Sequence, residues 1–123
     1  MNKRILIVDD EFGLADVVAE ILTDQGYEAS IAINGRLGLA QIAETHPGLI
    51  LLDVMMPVLD GFEACTALRR LQGGERVPVL MMTGLDDVDS IKRVYEVGAT
   101  DFITKPIAWP MLSHRVTYML RAN

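Results

Sequence analysis

Three uninterrupted apolar runs, each ending abruptly at a polar side chain, constrain what this chain can fold into more than any other feature. The runs cover residues 5–8, 49–52 and 79–82. Continuous runs of four apolar residues are typical of strands buried on both faces, as in parallel sheets covered by helices. Two weaker strand candidates, residues 27–33 and 101–104, complete a set of five.

Segments with helical periodicity lie between these runs. The first is marked by an apolar stripe formed by Leu14, Val17, Val18, Ile21 and Leu22. Further helices are expected after Asn34, where Leu37, Ala40 and Ile42 recur, after Asp60, from residue 88, and over residues 110–121. Strands that alternate with helices, joined by right-handed crossovers, predict a doubly wound α/β sandwich that forms a single domain over residues 1–123.

Composition narrows the classes of function. The chain has 11 basic and 17 acidic residues among 123, a net charge of −6, so we expect no direct contact with nucleic acid or with anionic membranes. The single cysteine, Cys65, excludes an internal disulfide and suits a reducing compartment. The first residues contain too short an apolar run for a signal peptide or a membrane span. These features predict a cytoplasmic protein.

Polar residues follow the predicted strands and define a candidate site. Asp9 and Asp10 follow the first strand, Asp53 the third, Thr83 the fourth and Lys105 the fifth. The carboxyl ends of parallel strands share one edge of the sheet, so we expect these side chains to converge. At about 5 Å and an effective dielectric constant near 20, each pair of carboxylates repels by roughly 3 kcal/mol. The site therefore requires a cation, and its oxygen ligands favour Mg²⁺, or Mn²⁺, over zinc.

The same residues predict phosphoryl chemistry. A hydroxyl (Thr83) and an ammonium (Lys105) beside a magnesium ion can hold phosphoryl oxygens, and an attacking carboxylate would become an aspartyl phosphate. Taken singly, each residue has a structural alternative, because aspartate caps helices, threonine ends strands and lysine is usually exposed. Asp53 is poorly placed as a cap, since Asp60 is the better cap for the third helix. The joint placement at the strand ends favours the functional interpretation.

Four segments resemble the receiver domain of two-component response regulators, including the single-domain chemotaxis regulators. They are residues 7–11 (Ile-Val-Asp-Asp-Glu), 51–57 (Leu-Leu-Asp-Val-Met-Met-Pro) with Asp60-Gly61, Thr83-Gly84, and 98–106 (Gly-Ala-Thr-Asp-Phe-Ile-Thr-Lys-Pro). The resemblance extends over essentially the whole chain. It implies a flavodoxin-like fold of five βα units with a parallel sheet in the order 2-1-3-4-5.

The resemblance also implies roles for the residues of the site. Asp53 would be the phosphoacceptor, receiving a phosphoryl group from a phosphohistidine of a sensor histidine kinase or a histidine phosphotransfer protein. Asp10, Asp53 and the backbone carbonyl of Met55 would bind Mg²⁺ directly, and Asp9 would bind it through water. Lys105 would pair with the phosphoryl group.

The resemblance further implies a switch. Thr83 would move to bond the phosphoryl group and Phe102 would turn inward, reshaping the face made by helix 4, strand 5 and helix 5. Phe102 stands where many members carry tyrosine, so it offers no hydroxyl. The Lys105-Pro106 bond is expected to be cis. Met55 and Leu85 occupy positions that tune dephosphorylation in the family, and because both are apolar we expect a long-lived phosphorylated form.

Two other functions compete with this interpretation. A haloacid-dehalogenase-like phosphatase also uses an aspartate nucleophile with Mg²⁺, but it needs an acid where this chain has Met55, and it needs a cap domain. A pure interaction module would lack an acid or the lysine, and neither is missing. We therefore expect no turnover enzyme. Residues 105–121 resemble receivers that precede a cyclic-di-GMP-synthesising domain, so an output domain or a homodimer through helices 4 and 5 are candidate partners.

Overall fold

Five parallel strands alternate with five helices in the computed structural model, which describes residues 2–84 and 87–122. The elements are β1 (Arg4–Val8), α1 (Phe12–Asp24), β2 (Glu28–Ala32), α2 (Gly35–Thr45), β3 (Leu49–Asp53), α3 (Gly61–Arg69), β4 (Val79–Thr83), α4 (Val88–Glu96), β5 (Asp101–Thr104) and α5 (Trp109–Arg121). The sheet order is β2-β1-β3-β4-β5 with every neighbouring pair parallel, which confirms the predicted fold class.

The apolar runs are continuous because the sheet is covered on both faces. Successive strand residues contribute to opposite cores: Leu6 packs with α2, α3 and α4, whereas Ile5 and Ile7 pack with α1 and α5. The helix predicted over residues 110–121 is confirmed as α5, and it buries four apolar residues, namely Leu112, Val116, Met119 and Leu120. Because both faces of the sheet are covered by a core, the central strands β1, β3 and β4 do not alternate between apolar and polar residues.

The predicted helix stripes were wrong at several positions. Val17 in α1 and Leu37 in α2 are exposed rather than inward. The contact of α2 with the sheet explains the error in this helix, because Gly38 faces β1 and a Cβ at Gly38 would lie 2.8 Å from Val8 Cγ2. The shorter distance between helix and strand puts small residues in the interface and leaves the leucine outside. The helix α4 is more exposed still, because Val94 alone among its described residues is buried.

The segment before α3 holds that helix close to the end of β3. Asp60 caps the helix as predicted, accepting the Glu63 N–H at 2.8 Å while its own N–H donates to Glu63 Oε1 at 3.0 Å. A Cβ at Gly61 would overlap the carbonyl oxygen of Asp53, so only glycine fits there. Among the helices within residues 2–84 and 87–122, none is long and apolar enough to cross a bilayer.

Candidate functional site

The carboxyl edge of the sheet brings the predicted acidic residues together. β1 ends just before Asp9, and β3 ends at Asp53. One carboxylate oxygen from each of Asp9, Asp10 and Asp53 lies within 4.8 Å of the others. The Lys105 ammonium, just after β5, is 3.0 Å from Asp53 Oδ1 and 3.6 Å from Asp9 Oδ2. The parallel topology thus gathers residues from three strand ends into one acidic pocket.

Thr83 completes this edge as the last residue of β4. It is 2% exposed, and its carbonyl accepts the Lys105 N–H at 2.8 Å, so the backbones that carry the hydroxyl and the ammonium are directly bonded. The register pairs Asp53 with Met82, which puts Thr83 one residue beyond the strand partner of the aspartate. Thr83 therefore lies at the same carboxyl edge of the sheet as Asp53, on the neighbouring strand.

Burial dominates the electrostatics of the pocket. Asp9 is fully buried and Asp53 is 3% exposed, whereas Asp10 is exposed. Burial raises the pKa of Asp53 from 3.8 to about 6, against the lowering effect of the Lys105 hydrogen bond, and the nearby Asp9 charge adds to the rise. Burial alone would lower the pKa of Lys105, but its hydrogen bond to Asp53 and the surrounding carboxylate charges raise it overall. The lysine therefore stays charged while the aspartate binds protons more readily.

The residues present fit a hard divalent cation. Asp9 Oδ1 accepts the Glu11 N–H at 2.9 Å, but Asp9 Oδ2 is buried and has no hydrogen-bond partner in the part of the chain that the structure describes. A buried carboxylate oxygen without a donor is costly unless a cation compensates it. Among the described residues, three carboxylates face one ammonium, so their summed charge is negative, and an all-oxygen donor set suits Mg²⁺ or Mn²⁺.

The loop that follows Asp53 contains a backbone carbonyl that accepts no hydrogen bond from the described residues. The Val54 carbonyl accepts from both Met56 N at 3.2 Å and Gly61 N at 2.9 Å, whereas no donor within residues 2–84 and 87–122 reaches the Met55 carbonyl. Met55 is 64% exposed, so its side chain does not pack in the core. Its companion at the dephosphorylation position, Leu85, lies outside the described residues.

Val58 in this loop has an unusual backbone. Its φ is +70°, and the Leu59 N–H donates to the Pro57 carbonyl across it at 2.7 Å, a γ-turn that is strained for a β-branched residue. Its side chain is 92% exposed, so no packing compensates the strain. We therefore expect Val58→Gly to raise the free energy of unfolding by about 1 kcal/mol in urea denaturation.

The matched control for this prediction is the same substitution at another exposed valine. Val17 lies within α1, where glycine weakens the helix, so Val17→Gly should lower the free energy of unfolding by about 1 kcal/mol. Destabilisation by both substitutions would show that the turn at Val58 is not strained.

The Lys105-Pro106 bond, just after β5, is cis, as the resemblance implied.

The β5 segment also makes contacts that were not predicted from the sequence. Phe102 is partly buried and packs edge-on against the Tyr95 ring of α4, with ring centroids 6.2 Å apart. Arg115 of α5 donates to the Phe102 carbonyl at 2.9 Å and pairs with Asp101 at 2.9 Å. The available signal was one acidic residue on β5, Asp101, and one basic residue within α5, Arg115, but spacing alone does not pair residues that distant.

The acidic pocket at the carboxyl edge of a five-stranded flavodoxin-like sheet defines the class of phosphoacceptor domains. The model of the response regulator receiver domain family matches residues 5–117, and the chain belongs to this family. It is thus a receiver domain of the two-component response regulators, whose function is to accept a phosphoryl group.

Curated relatives are longer than this chain. It is 38% identical over 118 residues to the DNA-binding dual master transcriptional regulator RpaA of Synechocystis, covering 96% of this chain and 49% of that protein. It is 41% identical over 121 residues to the response regulator PleD of Caulobacter vibrioides, covering 98% and 27%. The chain therefore spans between about a quarter and a half of the length of these relatives.

Solved structures show the same fold along nearly the full chain. The chemotaxis protein CheY4 of Vibrio cholerae superposes with a TM-score of 0.92 at 31% identity, covering 97% of this chain and 99% of that one. The signal receiver domain of a signal transduction histidine kinase from Syntrophus aciditrophicus gives 0.90 at 36% identity, with coverage of 98% and 91%. The similarity includes all five βα units.

Proposed function

We propose that Asp53 is the phosphoacceptor of this receiver domain and that its phosphoryl donor is a sensor histidine kinase or a histidine phosphotransfer protein. The observation that carries the proposal is the buried Asp53 carboxylate, held 3.0 Å from the Lys105 ammonium inside a group of three carboxylates. A nucleophile and a cation at one strand edge are the parts that phosphoryl transfer requires.

Asp10, Asp53 and the Met55 carbonyl are proposed to hold Mg²⁺ directly, with Asp9 acting through water. Two oxygens support this assignment, because no donor from the described residues reaches either the buried Asp9 Oδ2 or the Met55 carbonyl. When bound, the ion supplies charge neutralisation for the incoming phosphoryl oxygens. Mn²⁺ has the same ligand preference and is the expected substitute.

The residues of the chain itself position the reaction. An Asp53 oxygen attacks phosphorus, the bond between phosphorus and the donor imidazole nitrogen breaks, and the nitrogen keeps the electron pair. The Lys105 ammonium then moves from the carboxylate to a phosphoryl oxygen, and the Thr83 hydroxyl donates to another. No side chain must give up a proton, since the nucleophile is already ionised above its pKa of about 6.

Phosphorylation is proposed to act on the face made by α4, β5 and α5 through Thr83 and Phe102. The direct bond from Lys105 N to the Thr83 carbonyl links the site to β5, and Phe102 links β5 to Tyr95 of α4. α4 buries only Val94 among its described residues, so few contacts oppose its displacement. This face carries exposed side chains suited to an output domain or a second copy of the chain.

An apolar rim around the pocket supports a protein as the phosphoryl donor. Among the described residues, eleven large hydrophobic side chains are exposed, and six of them follow the carboxyl ends of β1 to β4: Phe12, Ile33, Leu37, Met55, Val58 and Val88. A macromolecule that delivers a phosphoryl group to Asp53 covers this rim, whereas a small donor does not need it. The acidic surface charge argues against direct binding of nucleic acid by this domain.

The wider setting is also proposed. We place the domain in the cytoplasm, as a phosphoacceptor that promotes only its own phosphorylation and dephosphorylation rather than as a turnover enzyme. The resemblance of residues 105–121 to receivers that precede a cyclic-di-GMP-synthesising domain suggests an output of that kind. The relatives above, of which this chain covers only a part, are long enough to contain an output domain besides the receiver domain.

Incubation with acetyl phosphate and Mg²⁺ tests the assignment of Asp53. We expect intact-mass spectrometry to show one phosphoryl adduct, and we expect Asp53→Asn or EDTA to abolish it because each removes an essential part of the site. Asp60→Asn is the matched control, since this aspartate caps α3 outside the pocket and its asparagine variant can still cap. An adduct that persists in Asp53→Asn would refute the assignment, and phosphate release without an adduct would favour the phosphatase.

A further inference from the structure

Glu11 stands at the start of α1 without capping it. This residue occupies the N-cap position, where a side chain normally accepts a backbone N–H from the first helical turn. The Glu11 side chain makes no such bond, and its backbone N–H instead donates to Asp9 Oδ1 at 2.9 Å. The start of the helix is therefore held by the Glu11 backbone, and its carboxylate is directed elsewhere.

The Glu11 carboxylate lies beside the Lys105 ammonium. Its Oε2 atom is 3.8 Å from Lys105 Nζ, compared with 3.6 Å for Asp9 and 3.0 Å for Asp53. The Glu11 side chain is 66% exposed, whereas those of the two aspartates are almost fully buried. Among the described residues, Glu11 is thus the most exposed of the three carboxylates within 4 Å of the Lys105 ammonium, and it lies between that ammonium and the solvent.

We propose that Glu11 is a positioning residue that controls phosphoryl entry, holding Lys105 from the solvent side and opposing anionic donors with its charge. The inference rests on the proposed role of Asp53. Counted over the described residues, the pocket with Glu11 contains four carboxylates and one ammonium. A phosphoryl group must displace Glu11 from Lys105 and approach against its charge, so removal of that charge accelerates the reaction with anionic donors.

Acetyl phosphate gives a balanced reaction for the test. The bond between phosphorus and the bridging oxygen breaks, a bond forms between phosphorus and an Asp53 oxygen, and acetate leaves with the electron pair. The Lys105 ammonium leaves both Asp53 and Glu11 and contacts a phosphoryl oxygen instead. No oxidant, reductant or external proton is needed.

The first measurement is the rate of adduct formation by intact mass, with acetyl phosphate, saturating Mg²⁺, pH 7 and low salt. Glu11→Gln should react about fivefold faster than the wild type, and 1 M salt should remove most of the difference. Phosphoramidate, a monoanion at this pH, should show a smaller acceleration than dianionic acetyl phosphate. Glu28→Gln is the matched control, because Glu28 pairs with Arg4 at the opposite edge of the sheet and carries the same charge.

The second measurement is Mg²⁺ affinity without any donor, from the shift in Tm with Mg²⁺ or from isothermal titration calorimetry. Glu11→Gln should weaken Mg²⁺ binding about twofold to threefold, the opposite sign to its effect on the anionic donor. A merely structural disturbance would impair both.

Equal rates for wild type and Glu11→Gln at low salt, or equal acceleration by Glu28→Gln, would overturn the role of Glu11. Failure of the wild type to form any adduct would instead refute the function proposed for Asp53, so the two failures are distinguishable.

Discussion

Lys105→Met should lower the free energy of unfolding of the metal-free protein by about 3 kcal/mol at pH 7.5, or about 10 °C in Tm. The Lys105 ammonium lies within 4 Å of two carboxylates, Asp9 and Asp53, that are almost fully buried. Removal of the Lys105 ammonium leaves both carboxylates uncompensated by any described cation. The cost of two adjacent buried carboxylates exceeds the small gain from no longer desolvating a partly buried ammonium. Thermal unfolding in EDTA measures the effect.

The pH dependence identifies the cause of this loss. Carboxylates that have lost their cation bind protons, so the difference between Lys105→Met and wild type should shrink as the pH falls from 7.5 to 5. Added Mg²⁺ should restore part of the loss at pH 7.5 by supplying a replacement cation. Lys92→Met, at an exposed lysine of α4, is the matched control and should change Tm little. A pH-independent loss would point to altered packing instead of unpaired charge.

Asp53→Asn should stabilise the metal-free protein although it abolishes phosphorylation. The pKa of Asp53 is about 6 in the folded protein and 3.8 as its ordinary value, so between these values the folded state binds more protons than the unfolded state. Stability of the wild type therefore falls as pH rises through this window, and the penalty is fully present above pH 6. Two pKa units correspond to about 3 kcal/mol, and the weaker bond from asparagine to Lys105 reduces the expected gain to about 2 kcal/mol.

Urea denaturation in EDTA at several pH values tests this sign. The stability of the two proteins should be similar near pH 4, and Asp53→Asn should become the more stable as the pH rises to about 6, with a constant difference above it. Mg²⁺ should stabilise the wild type and have much less effect on the variant. Asp60→Asn again serves as the control outside the pocket. A variant less stable than the wild type at pH 7.5 would show that ionisation of Asp53 does not destabilise the folded protein.

These opposite effects follow from one property of the pocket. The apo site holds more negative charge than its surroundings can compensate, so removing the cation destabilises and removing an anion stabilises the fold. A site that holds such excess charge is prepared for Mg²⁺ and for a phosphoryl group, whose binding then supplies the missing compensation.

The errors of sequence reasoning concern contacts rather than elements. Periodicity identified α1 and α2 but misjudged Val17 and Leu37, because it does not report how closely a helix approaches the sheet. The positive φ of Val58 was not predicted either, since valine is a poor residue for that conformation and nothing local indicates it. Glu11 entered the sequence analysis only as the last residue of the segment 7–11, because its contact with Lys105 joins residues 94 positions apart.

Local sequence patterns were enough to predict the strands, their alternation with helices and the sheet edge that carries Asp9, Asp10, Asp53, Thr83 and Lys105. Strand burial and helix periodicity are local consequences of side-chain chemistry, and a parallel sheet puts all its carboxyl ends on one side. Three other properties became visible only in the folded chain: the depth at which Asp53 is buried, the carboxylates that share Lys105, and the apolar residues of α2 and α4 that face the solvent. Those properties depend on distances between segments remote in the chain, and electrostatic energies change steeply with both distance and burial.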